Sequence, residues 1–236
     1  MKMKKIFYLL LAATLTAGCG SDDDEAPKPE IEISLSQSAI NIPVKGTADI
    51  SVIGIDPDDA EIKVADKFVA DAYNYDGKIH IQANHVGSTK VVASYEGKTA
   101  ECVVKVTALN DYLGDPVLDF GASREEVKAK AKGKIIEEDD NRIEFFYDGR
   151  FPVYTTYHFS NDKMECVFTA LNIRTDPSYI LNSLMERYNL LSYSSGSYWF
   201  EYPTKFVVQE NEQRANGGFH VRYAKDRETM AKYYQV

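Results

Sequence analysis

The sequence predicts two globular domains of different class, an all-β sandwich followed by an α+β domain, behind an N-terminal leader. Three observations predict this. Between Ile31 and Thr107, short runs alternate apolar and polar residues and are broken by turn residues, with almost no helical periodicity. From Pro116 onward, apolar residues at helical spacing alternate with further strand-like runs. Hydrophobic residues make up 44% of the 236 positions and include 16 Tyr and 11 Phe, enough to fill two β-rich cores.

The leader comes first in the chain. Met1 to Lys5 carry positive charge, Ile6 to Leu15 form an apolar run, and Thr16-Ala17-Gly18 supply small residues ahead of Cys19. That layout is a secretory signal over residues 1–18, too short for a membrane span of about 20 apolar residues. The segment Leu15-Thr16-Ala17-Gly18-Cys19 resembles the lipobox read by lipoprotein signal peptidase, with Thr16 standing where leucine is commonest. The resemblance implies that Cys19 is lipidated and begins the mature chain. Acyl chains on it would hold the protein to a membrane at about 0.8 kcal/mol per buried methylene.

Residues 19–30 are then a tether, because the run Asp22-Asp23-Asp24-Glu25 has nothing apolar with which to collapse. Residues 20–30 span at most roughly 36 Å. The acidic run also resembles the export signal of Bacteroidetes surface lipoproteins, which implies an outer membrane lipoprotein displayed at the cell surface.

Charge excludes one class of partner. The formal net charge is −9, and removal of Lys2, Lys4 and Lys5 with the signal takes the mature chain to −12. A polyanion is repelled by that field, so nucleic acid is not an expected partner. The membrane is expected to hold the protein through its lipid anchor alone.

The sandwich elements follow in order. Ile31 to Leu35, Ser38 to Ile42 and Thr47 to Ile53 are strand runs, and Asp56-Pro57-Asp58-Asp59 is a loop. Ile62 to Val64, Lys78 to Ala83, Thr89 to Tyr95 and Thr99 to Val106 bring the count to about seven, with turns at Asp76-Gly77, Val86-Gly87 and Glu96-Gly97. Val44-Lys45-Gly46-Thr47, Tyr75-Asp76-Gly77-Lys78-Ile79, Val86-Gly87-Ser88-Thr89 and Cys102-Val103-Val104-Lys105-Val106 resemble the bacterial Ig-like domain of the Big2 type. The resemblance covers residues 31–107 and implies an Ig-like sandwich acting as stalk or adhesion module. His80 and His85 sit near turns without a third ligand, so they read as surface residues and no metal is expected.

Residues 112–236 form the second domain, with the boundary placed near Asp111. Ser123-Arg124-Glu125-Glu126 is a capping box opening a helix that runs to about Lys132, where Gly133 stops it. Arg142 to Tyr147, Val153 to Phe159 and Lys163 to Leu171 follow as strands. Asp176 and Pro177 then begin a second helix whose Ile180, Leu181, Leu184, Met185 and Tyr188 recur at buried-face spacing. Tyr198 to Tyr202, Phe206 to Glu210 and Phe219 to Tyr223 are strands, and Asp226 to Tyr234 a terminal helix. The expectation is two helix-plus-three-strand repeats, with helices on one face of an antiparallel sheet. Gly121-Ala122-Ser123-Arg124-Glu125-Glu126-Val127 resembles the helix opening of β-lactamase-inhibitor-protein-like repeats, which implies that same architecture.

Candidate sites are few. Tyr198, Trp199 and Tyr202 are the candidate ligand-binding residues, with alternation putting Trp199 on the opposite strand face from Tyr198, Phe200 and Tyr202. Cys102 and Cys166 occupy apolar strand positions and are expected as free buried thiols. Glu137-Glu138-Asp139-Asp140 reads as a solvated loop rather than paired catalytic carboxylates. The sequence has no Gly-x-Ser-x-Gly, His-Glu-x-x-His or phosphate-cradling glycine loop, so no catalytic residue and no cofactor is assigned. These readings converge on a non-enzymatic surface lipoprotein binding a protein or glycan, or alternatively a structural or assembly factor of the outer membrane.

Overall fold

The computed structural model describes residues 31–236 apart from 111, 115, 149–152, 173–177, 195, 203–204, 211–217 and 235–236. The signal, Cys19, the whole of the tether, the boundary at Asp111 and the helix start at Asp176-Pro177 lie outside the described residues. Glu32–Val236 form one compact unit. Two hydrophobic cores define a first and a second lobe within it.

The first lobe is an Ig-like sandwich of nine strands, two of them only two residues long. They are β1 Ser34–Leu35, β2 Ala39–Pro43, β3 Thr47–Ile50, β4 Val52–Ile53, β5 Glu61–Val64, β6 Ala70–Tyr75, β7 Lys78–Ala83, β8 Gly87–Tyr95 and β9 Lys98–Thr107. One sheet runs β2-β9-β8-β5, with β2 parallel to β9, and the other runs β3-β7-β6; β1 and β4 pair separately. Inward-facing Ile42, Ile50, Ile79, Ile81, Val91, Cys102 and Val104 fill the space between the sheets. The turns expected at Asp76-Gly77 and Glu96-Gly97 close the β6–β7 and β8–β9 hairpins. All four residues have positive φ, the geometry that matches strand twist in a two-residue turn.

The second lobe is an eight-stranded antiparallel sheet in the order β10-β11-β12-β13-β17-β16-β15-β14. Its strands are β10 Lys134–Glu138, β11 Arg142–Tyr147, β12 Val153–Ser160, β13 Lys163–Asn172, β14 Asn189–Ser194, β15 Ser197–Tyr202, β16 Lys205–Glu210 and β17 Gly218–Ala224. Two four-stranded meanders therefore meet at the β13–β17 pair in the centre. The helices described are α1 Arg124–Lys130, α2 Ser178–Met185 and α3 Arg227–Tyr234.

This overturns the expected fold class. The described chain is mostly β, with three short helices, and it holds no separate α+β domain of helices on one sheet face. Val127 of α1 and Ile180 and Leu184 of α2 join Ile143, Phe145, Tyr157, Phe200, Val221 and Tyr223 in one core. Met230 of α3 packs instead with Cys166 and Ala224 on the opposite face.

Each repeat also has four strands after its helix rather than three. The added strands, β10 and β14, are the sheet's two edges, and every residue in both is exposed. With neither side buried, neither strand carries an alternation to detect. Within the acidic run, Glu137 and Glu138 accordingly lie in β10, where Arg142 pairs with Glu137 and Lys128 reaches Glu138 at 2.6 Å. Cys102 and Cys166 are both free and buried, as expected.

Candidate functional site

The site grows from the β14 edge. Asn189-Leu190-Leu191-Ser192-Tyr193-Ser194 contains no charge and no proline, and among the described residues its only sheet partner is β15. Leu190, Leu191 and Tyr193 are 47%, 41% and 59% exposed. Edge strands are ordinarily blunted by charge, proline or a cover, because their free N–H and C=O groups template further pairing. The opposite edge obeys that rule: β10 reads Lys134-Ile135-Ile136-Glu137-Glu138, and its acids are held in ion pairs.

A bulge shapes β14 locally. Leu190 pairs with Phe200 and Ser192 with Trp199, so Leu191 is the extra residue. It places Leu191 and Ser192 together on the Trp199 side. There they meet α3 across a cleft of about 400 Å³, lined by Leu191, Ser192, Ser194, Trp199, Arg227 and Met230. Trp199 is half-buried, packed against the Cys166, Ala224 and Met230 cluster. Tyr193 leans the other way and packs on Tyr198 at a 43° tilt, with centroids 4.6 Å apart.

The three candidate ligand-binding residues are therefore divided among environments. Trp199 lines the cleft, as the strand alternation places it. Tyr198 and Tyr202 pack against the second-lobe core. Tyr202 also meets Phe68 of the first lobe edge-on at 4.7 Å, and burial with Asp66 nearby pushes its phenol upward. Sequence reasoning missed Leu191 and Tyr193 because an all-exposed strand has no pattern; only the absence of charge over six residues marked it.

α3 is held beside the cleft by Glu165 of β13. Lys232 donates to its carboxylate at 2.8 Å, the Tyr233 hydroxyl at 2.9 Å and Lys225 at 3.4 Å. The Lys232 bond, with those of Tyr233 and Lys225, holds Glu165 below the usual carboxylate range. Beneath α3, burial pushes the Cys166 thiol up to about 12, so at neutral pH it is a packed thiol and not a nucleophile. Among the described residues, no group of three or more His, Cys, Asp or Glu side chains converges to hold a metal ion. His80 pairs with Asp49 at 2.7 Å, and His85 bonds the Phe68 carbonyl.

The lobes meet at Glu186, just past α2, which is buried. The backbone N–H groups of Leu109 and Asn110 donate to its Oε2 at 3.0 and 3.3 Å, and the Asn110 amide donates to Oε1 at 2.9 Å. The Glu186 carbonyl accepts from the Val86 N–H at 2.8 Å. One residue thus fastens both the inter-lobe linker and the β7–β8 loop.

No family model matches the chain, and no curated protein matches it. Among solved structures, domains 5–6 of the S-layer protein SbsC give a TM-score of 0.31 at 11% identity, covering 83% of each chain. The titin Ig tandem A164–A165 gives 0.27 at 11% identity, covering 80% of this chain and 93% of that one. Likeness this slight carries no argument about function, and the Ig-like assignment rests on the first lobe's own two-sheet topology.

Proposed function

We propose that the chain is a non-enzymatic surface lipoprotein that docks a protein partner through the β14 edge and the Trp199 cleft. In this reading residues 1–18 are removed, Cys19 carries lipid, and residues 19–30 are the tether. The Ig-like sandwich of residues 31–107 spaces residues 112–236 from the outer membrane. The observation that carries the reading is the uncharged edge strand, exposed at every residue, beside a half-buried tryptophan. Backbone groups on such an edge supply affinity for an added strand, and adjacent pockets supply specificity. A protein partner is favoured over a glycan because the cleft adjoins a sheet edge whose backbone groups an added strand can pair with.

A photo-crosslinking residue in place of Tyr193, in intact cells, should trap a discrete partner. A crosslinker at exposed Lys98 should not, and Leu191→Lys should abolish the product by placing a charge on the edge. Equal products from both positions, or persistence in the lysine variant, would refute docking at β14. Mass spectrometry of the mature N-terminus tests the anchor separately, and an unmodified Cys19 would remove it.

A further inference from the structure

A second cleft opens at the lobe junction, with a volume of about 440 Å³. That size lies within the roughly 300–1,000 Å³ range of small-ligand sites. Lys45, Lys67, Gln82, Asn84 and His85 of the first lobe line it, together with Asn189 at the start of β14. On a chain of net charge −9, its lining holds two lysines and an imidazole and no carboxylate. Neither lysine makes an ion pair among the described residues.

The walls are fixed before any ligand arrives. Lys45 is held at φ 64, a conformation uncommon for a side-chain-bearing residue. Its N–H donates to the Ala83 carbonyl at 2.9 Å, and the Ala83 N–H returns a bond of 2.9 Å to Gly46. Asn84 and His85 donate their backbone N–H groups to Val69, and the His85 ring stacks on Phe68 at 4.0 Å. Nδ1 of His85 bonds the Phe68 carbonyl at 2.9 Å. A carbonyl can only accept, so Nδ1 carries the proton and neutral His85 presents Nε2 as an acceptor.

We propose that this cleft binds a small hydroxylated anion of the sugar-acid class. Lys45 and Lys67 hold its carboxylate, while Gln82, Asn189 and Nε2 of His85 take its hydroxyls. The lining offers neither an arginine fork nor a helix N-terminus, the devices that favour phosphate. The amides and imidazole instead provide both donors and acceptors, as hydroxyl groups require. The proposal does not rest on partner docking at β14.

Calorimetric titration of the full chain with D-glucuronate, with glucose and inorganic phosphate as competitors, tests it. Glucuronate should bind with a Kd of about 1 mM, more weakly as salt rises. Lys45→Gly and Lys67→Gln should each weaken it by about tenfold. Lys45→Gly should leave the thermal midpoint unchanged or raised, because glycine adopts positive φ freely. Both variants should leave the crosslink from position 193 intact, which separates this site from the docking edge. Absent glucuronate binding, glucose or phosphate binding as tightly as glucuronate, or lysine variants with undiminished affinity would each overturn the assignment.

Discussion

Single residues set the local geometry in ways a substitution can measure. Gly133 lies three residues beyond the end of α1 with φ 109, and a Cβ there would stand 2.6 Å from the Phe146 carbonyl oxygen of β11. Strain and clash together should make Gly133→Ala cost about 2 kcal/mol in urea denaturation. Gly196→Ala, in an equally left-handed position with nothing within 4 Å, should cost less than half of that. Ser123 shows how far local chemistry is legible in sequence. Its hydroxyl accepts from the Glu126 N–H and the Glu126 carboxylate accepts from the Ser123 N–H, the reciprocal pair expected from Ser-x-x-Glu.

At the scale of elements, α3 depends on one carboxylate that sequence gave no reason to single out. Glu165 is depressed by the bonds from Lys232, Tyr233 and Lys225, so its contribution is present above the ordinary carboxylate range and is lost as pH falls through its lowered value. The melting temperature of the native protein should therefore fall more steeply than that of Glu165→Gln once pH drops below about 4. At neutral pH the variant should lose about 1 kcal/mol, with faster hydrogen exchange confined to α3. Equal pH profiles would remove Glu165 as the fastening. The strands divide on a different principle. β11, β12 and β15 were recognisable because one face is buried, whereas β6 was missed and β10 and β14 carry no buried face at all.

At the scale of the whole molecule, Glu186 joins what would otherwise be two independent lobes. Its removal takes away the acceptor of the Leu109 and Asn110 donors at a part-buried junction, which should cost about 2 kcal/mol. Calorimetry of Glu186→Ala should then show two transitions where the native protein shows one. A single transition in the variant would mean that the Phe68–Tyr202 and Val86–Glu186 backbone contacts suffice. The proposed anion site shares this dependence, since Asn189 reaches it from the second lobe while the lysines belong to the first.

By itself the sequence determined the hairpin turns, the capping box, the buried thiols and the assignment of Trp199 to its own strand face. These are encoded within a few neighbouring residues, through backbone conformation or period-two alternation. The tertiary structure alone decided that two meanders fuse at β13 and β17 into one sheet, that α3 takes the opposite face from α1 and α2, and that β14 is a sheet edge among the described residues. Those outcomes depend on pairings between residues tens of positions apart. An edge strand's exposure is set by which strand fails to arrive beside it, and no local pattern records an absent neighbour.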